Sequence, residues 1–217
     1  MTALTDLVVA LVCFFAFSQL HNAGKKDPAV FYYKYFFLCL GISTTLGGLT
    51  GHAFQYALGF TWKVPGWIAG MCAIAFIGQA AIMEVKKIIP PVTSNVFAYI
   101  NIVSLCVLMF IALYALNFSY VEIHATVGLV AVFLLQLFIY FKSRLSSSTY
   151  IMYGVGAAAL AAATHVGKIS PHTWFNHLDL SHILMATSCY FYYLGAVKIN
   201  LLHDEKTAEE PSAASVS

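Results

Sequence analysis

Residues 95–116 read NVFAYINIVSLCVLMFIALYAL, 22 positions without one charged side chain. At 1.5 Å of rise per residue, such a helix is about 33 Å long, close to the hydrocarbon thickness of a bilayer. Outward from it, apolar runs of similar length recur at Leu4–Leu20, Phe31–Leu58, Val64–Met83, Ile123–Phe141, Tyr150–Gly167 and Leu178–Leu202. The pattern predicts an all-α, polytopic membrane protein, a seven-transmembrane helix bundle over residues 1–203. Residues 204–217 are polar and are expected to form a disordered cytosolic tail.

Composition narrows the field in the same direction. Apolar residues make up 60% of the chain and charged residues 9%, against roughly a quarter charged in soluble proteins. A net charge of +2 provides no basic platform for nucleic acid. Cys13, Cys39, Cys72, Cys106 and Cys189 lie within apolar stretches and never as CxxC, so they read as small buried hydrophobes rather than zinc knuckles or disulfides. There is no phosphate-binding glycine loop, no HExxH and no GxSxG elbow,. The first span carries Asp6, yet it lacks the basic leader and small-residue cleavage site of a signal peptide,.

Seven crossings put the two termini on opposite sides. Lys63 and Lys168 fall on the N-terminal side, whereas Lys25, Lys26, Lys34, Lys86, Lys87, Lys142, Arg144, Lys198 and Lys206 fall on the other. Cytoplasmic loops carry the excess of lysine and arginine. The division predicts an extracytosolic N-terminus and a cytosolic C-terminus.

The same alternation gathers histidines. His52, His124, His165, His172, His177 and His182 all fall on the N-terminal side, and only His21 and His203 on the other. His52 follows the glycine-rich Gly47-Gly48-Leu49-Thr50-Gly51, where small residues let a neighbouring helix come close,. An imidazole there needs a polar partner. Near the seventh span the sequence reads Asn176-His177-Leu178-Asp179-Leu180-Ser181-His182. Asp179 and His182 share a helix face. His177 stands about 140° from His182 if one helix contains both, and it converges only from a position before the first regular turn. An Asp or Asn here can also serve simply as an N-cap.

Imidazole and carboxylate ligands plus a water make an open zinc site. The expected ligands are His52 and His182, with His177 or Asp179 completing the set. Asp179, if free of the metal, would orient a histidine or accept a proton from the water, and Tyr56 would donate to an oxyanion.

This arrangement resembles the seven-transmembrane hydrolase superfamily that includes alkaline ceramidases and the progestin and adiponectin receptor family. The resemblance rests on topology, on His52 and on the His177–His182 region. It implies a zinc-dependent hydrolase acting on a membrane lipid amide or ester, with His52 and His182 as ligands. Three departures stand out: His177 and His182 are five apart where that superfamily has HxxxH, Gly48 replaces its serine, and Lys63 stands between spans two and three where it has an aspartate. The competing expectation is a transporter or receptor that uses the histidine-rich pocket for solute binding or pH sensing, with Gln79 and Gln136 extending the polar interior. Haem-linked electron transfer fits less well, because the histidines gather at one depth.

Overall fold

The computed structural model describes residues 1–24 and 27–214, with side chains described as far as residue 202. Lys25 and Lys26 therefore lie outside the described residues, as do the side chains of the polar tail. Among the described residues, seven α-helices follow one another: α1 (Thr2–Asn22), α2 (Pro28–Leu46), α3 (Val64–Val85), α4 (Pro91–Ala115), α5 (Ser119–Ser143), α6 (Ser146–Val166) and α7 (His177–Ala214). A π-helical segment, Gly47–Ala53, prolongs α2, and a 3₁₀ turn, Phe60–Lys63, leads into α3. Among the described residues, the one β-type pairing is an isolated bridge between His172 and Phe175.

Local chemistry sets several boundaries. Asp27 caps α2 by accepting from the Ala29 amide at 2.9 Å, and Pro28 occupies the first turn, where no internal hydrogen bond is lost,. Pro91 does the same for α4. The second helical stretch stops at Ala53 rather than Leu58, since the glycines around Leu49 loosen the helix into a wider turn before Phe54 leaves it,. The serine run before α6 does not cap it. Ser146–Ser148 lie inside the first turn, and Leu145 occupies the cap position without a side-chain bond.

Adjacent packing closes a ring in the order α1, α2, α3, α5, α6, α7 and back to α1. α4 sits outside this ring against α3 and α5, and only Ser94 and Ala112 of it are buried. The core runs through Val9, Cys13, Tyr33, Phe36, Phe37, Ile77, Ile151 and Tyr192. α6 and α7 meet most intimately: a Cβ at Gly154 would fall 2.5 Å from Tyr192 Cε1, and one at Gly195 would fall 2.6 Å from Ile151 Cγ1. Ser188 Oγ reinforces the contact by donating to the Gly154 carbonyl at 2.7 Å. Small and hydroxyl residues are how helices approach closely where no water drives them together.

Five helical stretches, α1 to α5 with the short turns joined to α2 and α3, are long and apolar enough to cross a membrane. α6 and α7 have the length and fall short in hydropathy, for the residues that let them interlock are Gly, Ala, Ser, Thr and Tyr.

α1 and α7 run parallel. Asp6 Oδ1 lies 3.3 Å from His182 Nε2, and one heptad further along both helices Cys13 Sγ lies 3.7 Å from Cys189 Sγ. Leu20 and Ala196, a heptad beyond these, are both buried in the same core. A constant step of seven on both partners is the signature of a left-handed helix pair.

Candidate metal centre

α1 brings Asp6 into the bundle in its second turn, facing the π-helical segment. Gly48 makes the approach feasible. A Cβ there would lie 3.0 Å from Asp6 Cβ and 3.2 Å from the Ala3 carbonyl oxygen, tighter than ordinary contact, so a larger residue would need α1 to give by a few tenths of an ångström. π-Helical turns carry one more residue per turn than α-helix and recur at functional sites. Here that turn presents His52. Its neighbours keep their hydroxyls occupied within the helix: Thr50 donates to the Leu46 carbonyl at 2.8 Å and Thr45 to Gly41 at 2.7 Å.

α7 begins with a reciprocal cap. Asn176 Oδ1 accepts from the Leu178 amide at 2.8 Å and the Asp179 amide at 3.3 Å, while Asp179 Oδ2 accepts from the Asn176 amide at 3.0 Å,. With the helix starting here, His182 lands on the face turned to α1.

Asp6, His52 and His182 meet at this point, and one ligand atom from each lies within 4.8 Å of the other two. His182 Nε2 is 3.3 Å from Asp6 Oδ1, and His52 Nε2 is 3.6 Å from Asp6 Oδ2. Ligands held about 2.0–2.1 Å from a tetrahedral zinc stand about 3.3–3.4 Å apart; the two short spacings here run to different oxygens of Asp6, so a shared ion would draw the three side chains closer together than the 4.8 Å limit within which they now stand. The imidazole rings are 6.1 Å apart, centroid to centroid. Asp6 Oδ2 is buried with no hydrogen-bond partner, a costly state that a cation would relieve. His52 keeps 33% of its side-chain surface exposed, against 12% for His182 and 7% for Asp6. One side of the group is therefore open.

A second layer orients His182. Its Nδ1 lies 3.0 Å from Thr5 Oγ1. That hydroxyl also lies 2.9 Å from the Thr2 carbonyl and 3.3 Å from Asp179 Oδ1, both acceptors. With the Thr5 proton donated to one of these, Thr5 Oγ1 accepts from Nδ1–H and leaves Nε2 with its lone pair toward Asp6. This is the usual arrangement behind a metal-binding histidine.

The structure brings His52 and His182 together and leaves the other expected site residues apart. Asp179 is wholly buried, engaged by its cap and by Thr5, and reaches His182 only through that hydroxyl. His177 is the first residue of α7, so the 140° separation applies and turns it away. It lies instead beside Ser170 and His165. Tyr56 is 87% exposed on the turn after the π segment. His124 is buried on α5 with Nδ1 unpartnered, and His172 accepts from the Trp174 amide in the α6–α7 connection. Asp6 is the member of the group that sequence reasoning passed over. Its signal was present: a single carboxylate stands ahead of LVVALVCFFAF, and ionisable groups in such long apolar runs are rare without a task.

A second buried polar group sits at the far end of the bundle. Glu84 Oε1 accepts from Tyr33 Oη at 3.0 Å and from Gln136 Nε2 at 2.8 Å. Nearby, Lys87 pairs with Asp27.

No curated protein and no solved structure matches the chain. Residues 1–201 match, over nearly the whole helical bundle, a family whose description is family of unknown function, DUF6962. The chain belongs to that family.

Proposed function

We propose that the chain is a seven-span membrane hydrolase that acts on a lipid amide or ester, using a zinc ion held by Asp6, His52 and His182. One observation carries the reading: two imidazoles and a carboxylate with an unpartnered buried oxygen, from three helical segments, converge with ligand atoms within 4.8 Å of one another. When bound, zinc supplies a Lewis acid and makes a coordinated water far more acidic than bulk water. The protein's own part is to supply two nitrogens and one oxygen, to hold His182 in one tautomer through Thr5, and to leave one side open at His52. Leu49 and Phe54, close to His52 in the sequence, are exposed apolar side chains of the kind that would receive an acyl chain.

The nine-to-two division of basic residues supports an orientation in which this end of the bundle is extracytosolic,. The parallel course of α1 and α7 supports an odd number of crossings.

The test is paired. Protein purified in nanodiscs is expected to hold zinc and to release fatty acid from mixed membrane lipids, and His182→Ala and Asp6→Asn are each expected to lose both. Metal-free wild type with undiminished lipid cleavage would overturn the reading.

A solute transporter is the second reading, favoured by Glu84 with Tyr33 and Gln136 as a polar group at the opposite end. Against it, the stretch between the two groups is filled by apolar Phe36, Phe37, Ile77 and Ala80. Solute uptake into proteoliposomes that is abolished by Glu84→Gln would reverse the ranking.

A further inference from the structure

Glu84, at the far end of the bundle, is a buried acid with an unusual set of partners. It is 5% exposed, and Tyr33 of α2 and Gln136 of α5, which bond to it, are fully buried. Both donate to the same carboxyl oxygen, Oε1, at 3.0 and 2.8 Å. The Gln136 carbonyl oxygen is buried with no hydrogen-bond partner. An amide that gives one bond and leaves its oxygen idle in the core is costly.

The charges around Glu84 do not balance it. From α2, Asp27 adds a second negative charge, and Tyr33 has Tyr192 of α7 beside it. On α3 itself, Lys87 is the cation that acts on Glu84, but it pairs with Asp27; Lys86 is exposed. α5 contributes Gln136 and, at its end, exposed Lys142 and Arg144, whose guanidinium lies over the Tyr140 and Phe141 rings. α4, which also packs on α3, has no charged residue, and its Tyr99, Cys106 and Tyr114 are exposed. The 3₁₀ turn with Lys63 meets α3 at the opposite end. Among the described residues, no cation stands within ion-pair distance of Glu84. Where no cation is at hand, a proton is what neutralises a buried carboxyl.

We propose that Glu84 is a proton-binding site in which the Gln136 amide holds the bound proton. In the neutral acid, Oε1 keeps both of its donors, while the Oε2 hydroxyl donates to the Gln136 carbonyl oxygen. The two groups then form the two-bond ring that a carboxylic acid makes with a primary amide, and the idle oxygen gains its partner. In the ionised acid, Oε2 and that oxygen are two acceptors without a proton between them, and they repel. Proton binding thus ties α3 to α5, and release loosens the tie. The proton comes from solvent water and returns to it past Lys87, which is 51% exposed and lies three residues beyond Glu84. The inference rests on neither functional reading.

Infrared spectra of full-length protein in nanodiscs test it over about pH 5–9, the range in which buried carboxyls titrate. Subtracting the Glu84→Gln spectrum from wild type isolates this acid from the others, and the glutamine amide can close the same ring and keep the fold. The difference is expected to contain the carbonyl stretch of a neutral carboxylic acid, which shifts in heavy water and gives way to carboxylate bands as the pH rises. Gln136→Met, unbranched and of similar length, is expected to keep the acid band and move it to higher frequency, because the hydroxyl has lost its acceptor. A difference spectrum with carboxylate bands alone at every pH would overturn the proposal. So would an acid band that ignores pH, or one that Gln136→Met leaves in place.

Discussion

Thr5 shows how much of the candidate centre depends on a residue that is not a ligand. Its hydroxyl stands between His182 Nδ1 and Asp179 Oδ1, so Thr5→Val keeps the side chain's shape and removes the link. Loss of such an outer partner weakens metal binding by about 10–100-fold. Zinc affinity of the valine variant, measured by competition with a chelating dye, is expected to fall within that range, whereas Thr5→Ser is expected to stay near wild type. An unchanged affinity in Thr5→Val would mean that the hydroxyl only caps its own helix. His52 and His182 were legible because glycines and a helix-start motif surround them. Asp6 was not, because a carboxylate in an apolar run first looks like a defect in a span. His177 was misleading for a geometric reason, since five residues along a continuous helix turn its side chain to another face.

Single elements carry two further expectations. Gly48 exists to let α1 approach the π-helical segment, so Gly48→Ala puts a methyl against Asp6 and the Ala3 carbonyl. Overpacking of this kind costs about 1–3 kcal/mol, and here it also moves one ligand away from the other two. Thermal unfolding and zinc content are both expected to drop, and a variant with full zinc content would show that the helices can slide without loss. The heptad seam between α1 and α7 offers a different check. In a background with Cys39, Cys72 and Cys106 replaced by Ala, molecular iodine is expected to join Cys13 to Cys189, because their sulfurs already touch at 3.7 Å. Mass spectrometry of the digested protein would reveal the linked peptides, and their absence would argue against the parallel pairing. Helix boundaries were partly legible from Pro28, Pro91 and the Asn176 cap. The end of the second stretch was not, because hydropathy continues through Phe54–Leu58 after the glycines have ended the helix.

For the whole molecule, the order of the helices was legible because each hydrophobic run is long enough to be counted, although only five of the stretches are long and apolar enough to cross a membrane. The ring was not. Which helix lies beside which depends on small residues such as Gly154 and Gly195, and on side chains distant in sequence that fill the space they leave. α4 illustrates the gap: the most apolar stretch in the sequence is the one most nearly outside the bundle. In the seven-span reading it faces lipid, so replacing exposed Val96, Val103 or Val107 with Leu is expected to change stability by less than about 0.5 kcal/mol,. Sidedness is open to a direct measurement. A glycosylation acceptor placed before α1 is expected to be modified and one placed after α7 is not, with the reverse result inverting the proposed orientation.

The close pairing of α1 with α7 has a consequence for how the protein comes into being. During synthesis, the helix that carries Asp6 emerges long before the helix that carries His182, and 176 residues separate the two positions. Until the final helix has been made and docks against the first, the nascent chain holds a carboxylate and one imidazole with nothing to complete them. In the hydrolase reading, chemistry at that end is thus withheld until assembly is finished, and a chain cut short before its last helix is expected to be inert rather than half-active.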